Sequence, residues 1–167
     1  MTASPVEYFA LFTTYDGVTK ELTTSVSMVP ANADDAALCG EPAAVEAIWD
    51  TGATMTCIKP ALRERLKLRP LEFGSTEIAG VGGKVAADAA FVDLLIMPGV
   101  KIKDCLVYVM DFPGDAEMLI GMDIIGMGDF AVCNAGGKTS FSFAMPPFPD
   151  RINLEDKAEA ANMRGAL

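Results

Sequence analysis

The chain has 167 residues, of which 51% are hydrophobic and 22% are charged, a composition typical of one ordinary globular domain. Its formal net charge of −10 disfavours nucleic-acid partners, because an acidic surface repels the phosphate backbone. The sequence contains no histidine, which excludes Ser-His-Asp and Cys-His nucleophilic sites and histidine-containing zinc sites. Any acid–base chemistry must therefore come from other side chains.

The sequence shows no apolar run near the ~20 residues that a membrane-spanning helix needs. Its first residues lack the basic segment and apolar core of a secretory signal. Four widely spaced cysteines, at positions 39, 57, 105 and 133, form no C-x-x-C pair. We therefore expect a cytoplasmic protein with reduced thiols and no membrane association.

The first third of the chain predicts β structure. Residues 8–12 and 18–29 are extended runs that flank Asp16-Gly17, a hairpin signal. A loop rich in Ala, Asp, Pro and Gly follows over 30–42. Residues 45–49 then predict a short strand that runs directly into Asp50.

The rest of the chain predicts further strands and short helices. Residues 60–68 fit either a short helix or a turn followed by a strand, since Leu62 and Leu66 are four residues apart. Further strands are expected over 76–79, 84–97, 100–110 and 139–144, with a turn at Pro98-Gly99 and a buried strand passing into a helix over 118–126. Asn153 is placed to cap a final helix, which could be docked on the domain or frayed.

Asp50-Thr51-Gly52-Ala53 is the central chemical feature. A carboxylate that activates water needs a rigid loop at the end of a strand, and a neighbouring threonine and glycine suit such a loop. A small residue at position 53 keeps the floor of a cleft open. The competing interpretation is a simple Asx-type turn, in which Asp50 caps its own backbone.

Residues 77–85 contain a glycine cluster that could suggest a phosphate-binding loop. No Gly-Lys-Ser/Thr sequence follows it, and both flanks have the pattern of strands. A mobile hairpin tip is therefore the better interpretation.

Together the Asp-Thr-Gly-Ala segment, the glycine cluster and Leu119-Ile120-Gly121-Met122-Asp123 resemble the retropepsin family, whose members carry such motifs in this order. The resemblance covers roughly residues 8–145. It implies a mainly β, closed, barrel-like fold with one short C-terminal helix and a flap hairpin. We accordingly expect a retropepsin-like domain over 1–145 and a tail, possibly helical, over 146–167.

The resemblance also implies the roles of individual residues. Asp50 would be the catalytic carboxylate, Thr51 would hydrogen-bond across a dimer, and Gly52 and Ala53 would complete the active loop. The flap tip would comprise Gly80, Val81, Gly82, Gly83 and Lys84. Ile120 and Gly121 would pack behind the active loop.

A single Asp-Thr-Gly per chain implies a homodimer whose active site lies on the two-fold axis. Two Asp50 carboxylates would then share one proton and hydrolyse an extended peptide or protein substrate without metal or cofactor. Two alternatives stay open. One is a peptide-binding or assembly module of the same fold without turnover, and the other is an unrelated β-barrel with an accidental Asp-Thr-Gly.

Overall fold

A computed structural model describes residues 5–31, 42–71, 76–80 and 83–165. Within these ranges the strands are β1 (Phe9–Thr14), β2 (Thr23–Pro30), β3 (Ala43–Trp49), β4 (Cys57–Ile58), β5 (Thr76–Gly80), β6 (Gly83–Met97), β7 (Val100–Val109), β8 (Met118–Ile120), β9 (Asp129–Cys133) and β10 (Ser140–Met145). The helices are α1 (Pro60–Arg65), α2 (Met122–Ile125) and α3 (Leu154–Gly165), with a short 3₁₀ turn at Ala135–Gly137.

Six strands close into a ring in the order β2, β3, β8, β4, β7 and β6, because β2 pairs with both β3 and β6. β5 extends this sheet as the partner of residues 83–87 of β6. Closure leaves the six ring strands without a free edge between them and turns one face of each strand inward. The interior is filled by fully buried aliphatic side chains, including Met28, Ile58, Leu94, Met118 and Ile120.

A second, three-stranded sheet has the order β1, β10 and β9. Phe141 and Phe143 of β10 point inward and are buried against Trp49 at the end of β3. The Trp49 ring centroid lies 4.8 Å from that of Phe143 and 5.8 Å from that of Phe130 on β9. This aromatic cluster packs the small sheet against the six-stranded ring at the end of β3, immediately before Asp50 in the chain.

The predicted mainly β, closed, barrel-like architecture is confirmed. The hairpin predicted around Asp16-Gly17 is wrong, because β1 pairs with β10 and β2 pairs with β3 and β6. The segment between β1 and β2 instead bonds to the start of β10: Tyr15 N–H donates to Thr139 O at 2.8 Å and Thr139 N–H donates to Gly17 O at 3.0 Å. Local turn chemistry suited a hairpin, but burial of each strand's apolar face determined its partner.

Several other predicted elements are confirmed. A turn at Pro98-Gly99 joins β6 to β7, and β8 passes into α2 as expected. Residues 60–65 form a helix, which decides between the two interpretations of that segment. The Asn153 side chain accepts a hydrogen bond from Glu155 N–H at 2.9 Å and so caps α3.

The C-terminal helix α3 is exposed along almost all of its described length. The division into a domain over 1–145 and a tail over 146–167 stays a prediction. None of the helices in the described part of the chain is long and apolar enough to cross a membrane.

Candidate active site

Asp50 occupies the first position after β3, where the strand gives way to a tight turn. Its backbone N–H donates to Ile120 O at 2.9 Å, which continues the parallel pairing of β3 with β8 beyond the end of the strand. Ala53 N–H donates to Asp50 O at 3.2 Å and closes the turn. The backbone that carries the carboxylate is therefore fixed on both sides.

The Asp50 carboxylate also organises its own loop. Gly52 N–H donates to Asp50 Oδ1 at 2.8 Å, which is the bond expected of an Asx-type turn. A Cβ at position 52 would lie 3.1 Å from the same oxygen, so glycine is the residue that leaves room for it. The Asx-type turn and a reactive carboxylate are thus compatible, because Asp50 is only half-buried and borders a cavity.

The turn between β8 and α2 packs directly behind the active loop. Met122 N–H donates to Ala53 O at 2.8 Å, and Asp123 N–H donates to Thr54 O at 3.2 Å. A Cβ on Gly121 would lie 2.5 Å from the carbonyl carbon of Met55, closer than any side chain allows. Glycine at position 121 is therefore required for the close approach of the two segments.

A buried polar contact ties the same two segments together. Thr56 is fully buried, and its N–H and hydroxyl donate to the two carboxylate oxygens of Asp123 at 2.9 and 2.8 Å. The Thr56 hydroxyl oxygen also accepts a hydrogen bond from Gly121 N–H at 3.1 Å. The Thr56 hydroxyl, the Asp123 carboxylate and the Gly121 N–H all have hydrogen-bond partners. The contact therefore holds the loop rigidly at low cost in desolvation.

A cavity of about 750 Å³ opens in front of Asp50 and Thr51. Its walls are contributed by segments distant in sequence: Lys20, Glu21, Leu22, Ile48, Trp49, Phe112, Pro113, Leu119, Phe130 and Val132. Most of these side chains are apolar, and the Lys20–Glu21 pair adds one charge of each sign. A mainly apolar cleft bordered by the Asp50 carboxylate suits a peptide whose side chains are largely uncharged near the reacting bond.

The glycine cluster lies partly within the described residues. Gly80 and Gly83 pair across the β5–β6 hairpin, and Lys84 pairs with Ala79. Val81 and Gly82, predicted at the flap tip, lie outside the described residues. The hairpin matches the predicted pair of strands, whereas its role as a flap stays a prediction.

The thiol of Cys57 is buried beside the active loop. Burial, followed by the negative charges of Asp123 and Asp50, raises the pKa of this thiol to about 11. Its Sγ donates to Met55 O at 3.4 Å. Cys57 is therefore a protonated structural residue near neutral pH and not a nucleophile.

Among the described residues, no cluster of three or more acidic or cysteine side chains could hold a metal ion.

The structure places the predicted residues Asp50, Thr51, Gly52 and Ala53 in one turn, which Asp50 joins to Ile120 through a backbone hydrogen bond, while Gly121 packs against the Met55 backbone. The Thr56–Asp123 contact was not predicted from the sequence, although both residues lie in or beside the motifs. The available signals in the sequence were a hydroxyl residue, Thr56, shortly after the active loop and an aspartate, Asp123, shortly after Gly121. Phe112, Phe130 and Val132 carried no signal, because only the tertiary fold places them at the cleft.

Comparisons with known proteins indicate the family and the fold. A family model described as "gag-polyprotein putative aspartyl protease" matches residues 36–127, more than half of the chain. The solved EIAV protease complexed with the inhibitor HBY-793 is 28% identical, covering 67% of this chain and 90% of that chain, with a TM-score of 0.49. A retropepsin-like aspartic protease from Rickettsia conorii is 13% identical, covering 86% of this chain and 98% of that chain, with a TM-score of 0.52. No curated protein matches the chain. The likeness to the Rickettsia structure confirms the predicted fold.

Proposed function

The chain belongs to the retropepsin-like aspartic protease family, and on that premise we propose that it is an aspartic endopeptidase acting as a homodimer. The observation that carries the proposal is the position of Asp50. Its carboxylate sits on a turn fixed by β8 and α2 and borders the cavity, as a water-activating group must. Each chain supplies one such loop, so a complete site takes two copies.

In the proposed mechanism, two Asp50 carboxylates about 3 Å apart share one proton, because two like charges at that distance cannot both ionise. The ionised member accepts a proton from a water molecule, which attacks the peptide carbonyl carbon. The protonated member donates its proton to the carbonyl oxygen as the tetrahedral intermediate forms. No metal or organic cofactor takes part.

The remaining predicted residues fit supporting roles in this proposal. Thr51 is exposed beside Asp50 and is available to hydrogen-bond to the loop of a second copy. Gly52 leaves the carboxylate accessible to an extended substrate. Gly80, Val81, Gly82, Gly83 and Lys84 would cover the bound peptide from the β5–β6 hairpin. Substrate backbone would pair in β fashion, and the apolar cavity walls would set side-chain preference.

The first experiment is cleavage of a peptide library at several pH values by the wild type and by Asp50→Asn. We expect cleavage by the wild type and none by Asp50→Asn, with unchanged far-UV circular dichroism. Asp150→Asn, which removes an exposed carboxylate that does not line the cavity, is the matched control and should retain activity. Cleavage by purified Asp50→Asn would exclude the mechanism. Peptide binding by the wild type without cleavage would instead support the binding-module alternative.

A mixing experiment tests whether both carboxylates belong to one site. In an equal mixture of wild type and Asp50→Asn with free subunit exchange, about a quarter of the dimers carry two intact Asp50 residues. Activity per total protein should therefore fall to about a quarter of the wild-type value. A fall to only about half would show that each chain acts independently.

A further inference from the structure

A lysine outside the cavity contacts one of the cavity walls. The loop between β7 and β8 contributes Phe112 and Pro113 to the cavity in front of Asp50. Lys59, the residue before α1, does not line this cavity. Its Nζ lies over the Phe112 ring, 5.0 Å from the centroid, and also donates a hydrogen bond to Gly114 O. One ammonium group therefore contacts the loop on both sides of Pro113.

The backbone of Lys59 is fixed by the same strand that supports Asp50. Lys59 N–H donates to Glu117 O at 3.0 Å, immediately before β8 begins. Asp50 N–H donates to Ile120 O at 2.9 Å, at the last residue of β8. Lys59 O in turn accepts a hydrogen bond from Leu62 N–H at 3.0 Å in α1. The base of the lysine side chain and the turn that carries the carboxylate thus share one support.

The loop itself has few other restraints. Among the described residues, no backbone hydrogen bond joins residues 112–115 to another segment, and Phe112 N–H donates only to the adjacent Asp111 side chain. Lys59 is the one described side chain outside the loop that hydrogen-bonds to it. No carboxylate in the described part of the chain forms an ion pair with the Lys59 ammonium. The lysine and the loop are therefore each other's main polar restraint.

We infer that Lys59 is a positioning residue, which holds Phe112 and Pro113 against the cavity and so sets how large a substrate side chain fits beside them. The inference rests on the proposed function, because it assigns this wall to a peptide in the cavity. An aromatic ring attracts a cation placed over its face, and the bond to Gly114 O fixes the loop beyond the proline. Lys59 acts through the wall alone.

Removal of the ammonium would free the loop to move relative to Asp50. An apolar pocket distinguishes side chains that differ by a few methylene groups only while its walls keep their positions. A large side chain would then lose contact with Phe112, whereas a small one would lose little. Binding of large side chains should therefore weaken, and the chemical step at Asp50 should change little.

Steady-state cleavage of a peptide series tests this role. The peptides carry alanine, leucine or phenylalanine at each position beside the bond that the library identifies as cleaved. Lys59→Met keeps the length of the side chain and removes the ammonium. At one of these positions we expect it to lower the ratio of kcat/KM for phenylalanine over alanine about five- to tenfold, through KM, with kcat within about twofold of the wild type.

Two further variants serve as controls. Lys59→Arg keeps a cation that stacks on aromatic rings and donates hydrogen bonds, and its ratio should stay within about twofold of the wild type. Lys157→Met removes an exposed lysine of α3 that does not line the cavity and should change neither KM nor kcat. An unchanged ratio in Lys59→Met, or an equal loss of kcat/KM on every peptide, would overturn the inference.

Combination with Phe112→Leu distinguishes a role through the wall from a general structural role. The effect of Lys59→Met on the ratio should fall to roughly half or less in the Phe112→Leu background, because the ring that the ammonium contacts is absent there. An equal effect of Lys59→Met in both backgrounds would show that the lysine does not act through Phe112 and would overturn the inference.

Measurements without cleavage separate this inference from the proposed function. In ¹⁵N relaxation of the free protein, the backbone amides of residues 114 and 115 should have order parameters of about 0.85 in the wild type and below about 0.6 in Lys59→Met. This loosening in a wild type that cleaves no peptide would leave the role of Lys59 standing and remove the enzymatic one. Cleavage by the wild type, with order parameters and selectivity unaltered in Lys59→Met, would do the reverse.

Discussion

Asp123 accepts two hydrogen bonds from Thr56, one from its backbone N–H at 2.9 Å and one from its hydroxyl at 2.8 Å. The contact joins Thr56, the residue immediately before β4, to the helix α2 that packs behind the active loop. It spans 67 positions in sequence and lies beneath the loop that carries Asp50. The rigidity of the proposed site therefore depends on a polar contact that touches neither the cavity nor the substrate.

Thr56→Val should destabilise the protein by about 2–4 kcal/mol in urea unfolding. The substitution preserves shape but leaves Gly121 N–H without its acceptor and removes a donor from Asp123. Thr54→Val is the matched control, because Thr54 is exposed in the same loop, and should change the unfolding free energy by about 0.5 kcal/mol or less. Equal effects at the two positions would show that the buried contact contributes little.

Gly121→Ala should destabilise the protein by about 3 kcal/mol, because the added methyl group would overlap the Met55 backbone. Thermal unfolding of purified protein measures the effect. Gly17→Ala is the matched control: an added Cβ there meets nothing within 4 Å, and its φ is not positive. That variant should be neutral or more stable by up to about 1 kcal/mol, since alanine restricts the unfolded chain. A destabilisation by Gly121→Ala no larger than that of the control would contradict the close packing of α2 on the loop.

Dimer formation should be stronger at mildly acidic pH than at neutral pH. Each chain has a formal charge of −10 at pH 7 and a pI near 4.4, so two copies repel at neutrality and much less near pH 5. Sedimentation equilibrium should show a dissociation constant about tenfold lower at pH 5 than at pH 7.5 in low salt. Added NaCl should reduce the difference by screening at neutral pH. A dissociation constant insensitive to both variables would contradict repulsion between the copies.

Alkylation should distinguish the described cysteines. Burial raises the pKa of Cys57 to about 11 and that of Cys105 to about 12, in each case with a smaller contribution from the charge of Asp123. At pH 8 we expect iodoacetamide to modify the exposed Cys133 well before Cys57 or Cys105, as read by mass spectrometry of peptides. Rapid modification of Cys57 in the folded protein would contradict its burial.

The same thiols predict a loss of stability in alkaline solution. Their pKa values in the folded state lie above the ordinary value of 9.0, so the folded protein retains protons that the unfolded chain releases. This contribution is complete below pH 9 and falls as the pH rises through about 11. Cys57→Ala should show a smaller decrease in unfolding free energy between pH 9 and 11 than the wild type. An equal or larger decrease in the unfolding free energy of Cys57→Ala would show that the alkaline loss of stability comes from groups other than Cys57.

The sequence by itself determined the elements with strong local signals. The strand before Asp50, the Asp-Thr-Gly turn, the Pro98-Gly99 turn and the passage of β8 into α2 follow from short-range rules of hydrophobic pattern and turn chemistry. The order of the motifs was sufficient to indicate the family, since each motif reflects a local requirement of the backbone. The glycine at position 121 could be identified in this way, although its neighbour Met55 could not.

Only the tertiary structure decided which strands pair and which residues meet. The Asp-Gly sequence at 16–17 favoured a hairpin, yet β1 lies against β10 because its apolar face covers the same interior as Phe141 and Phe143. The cavity walls at Phe112, Phe130 and Val132, and the bond from Thr56 to Asp123, join segments far apart in the chain. Such contacts arise from closure of the ring and burial of side chains, which depend on the whole chain and leave no periodic trace in any one segment.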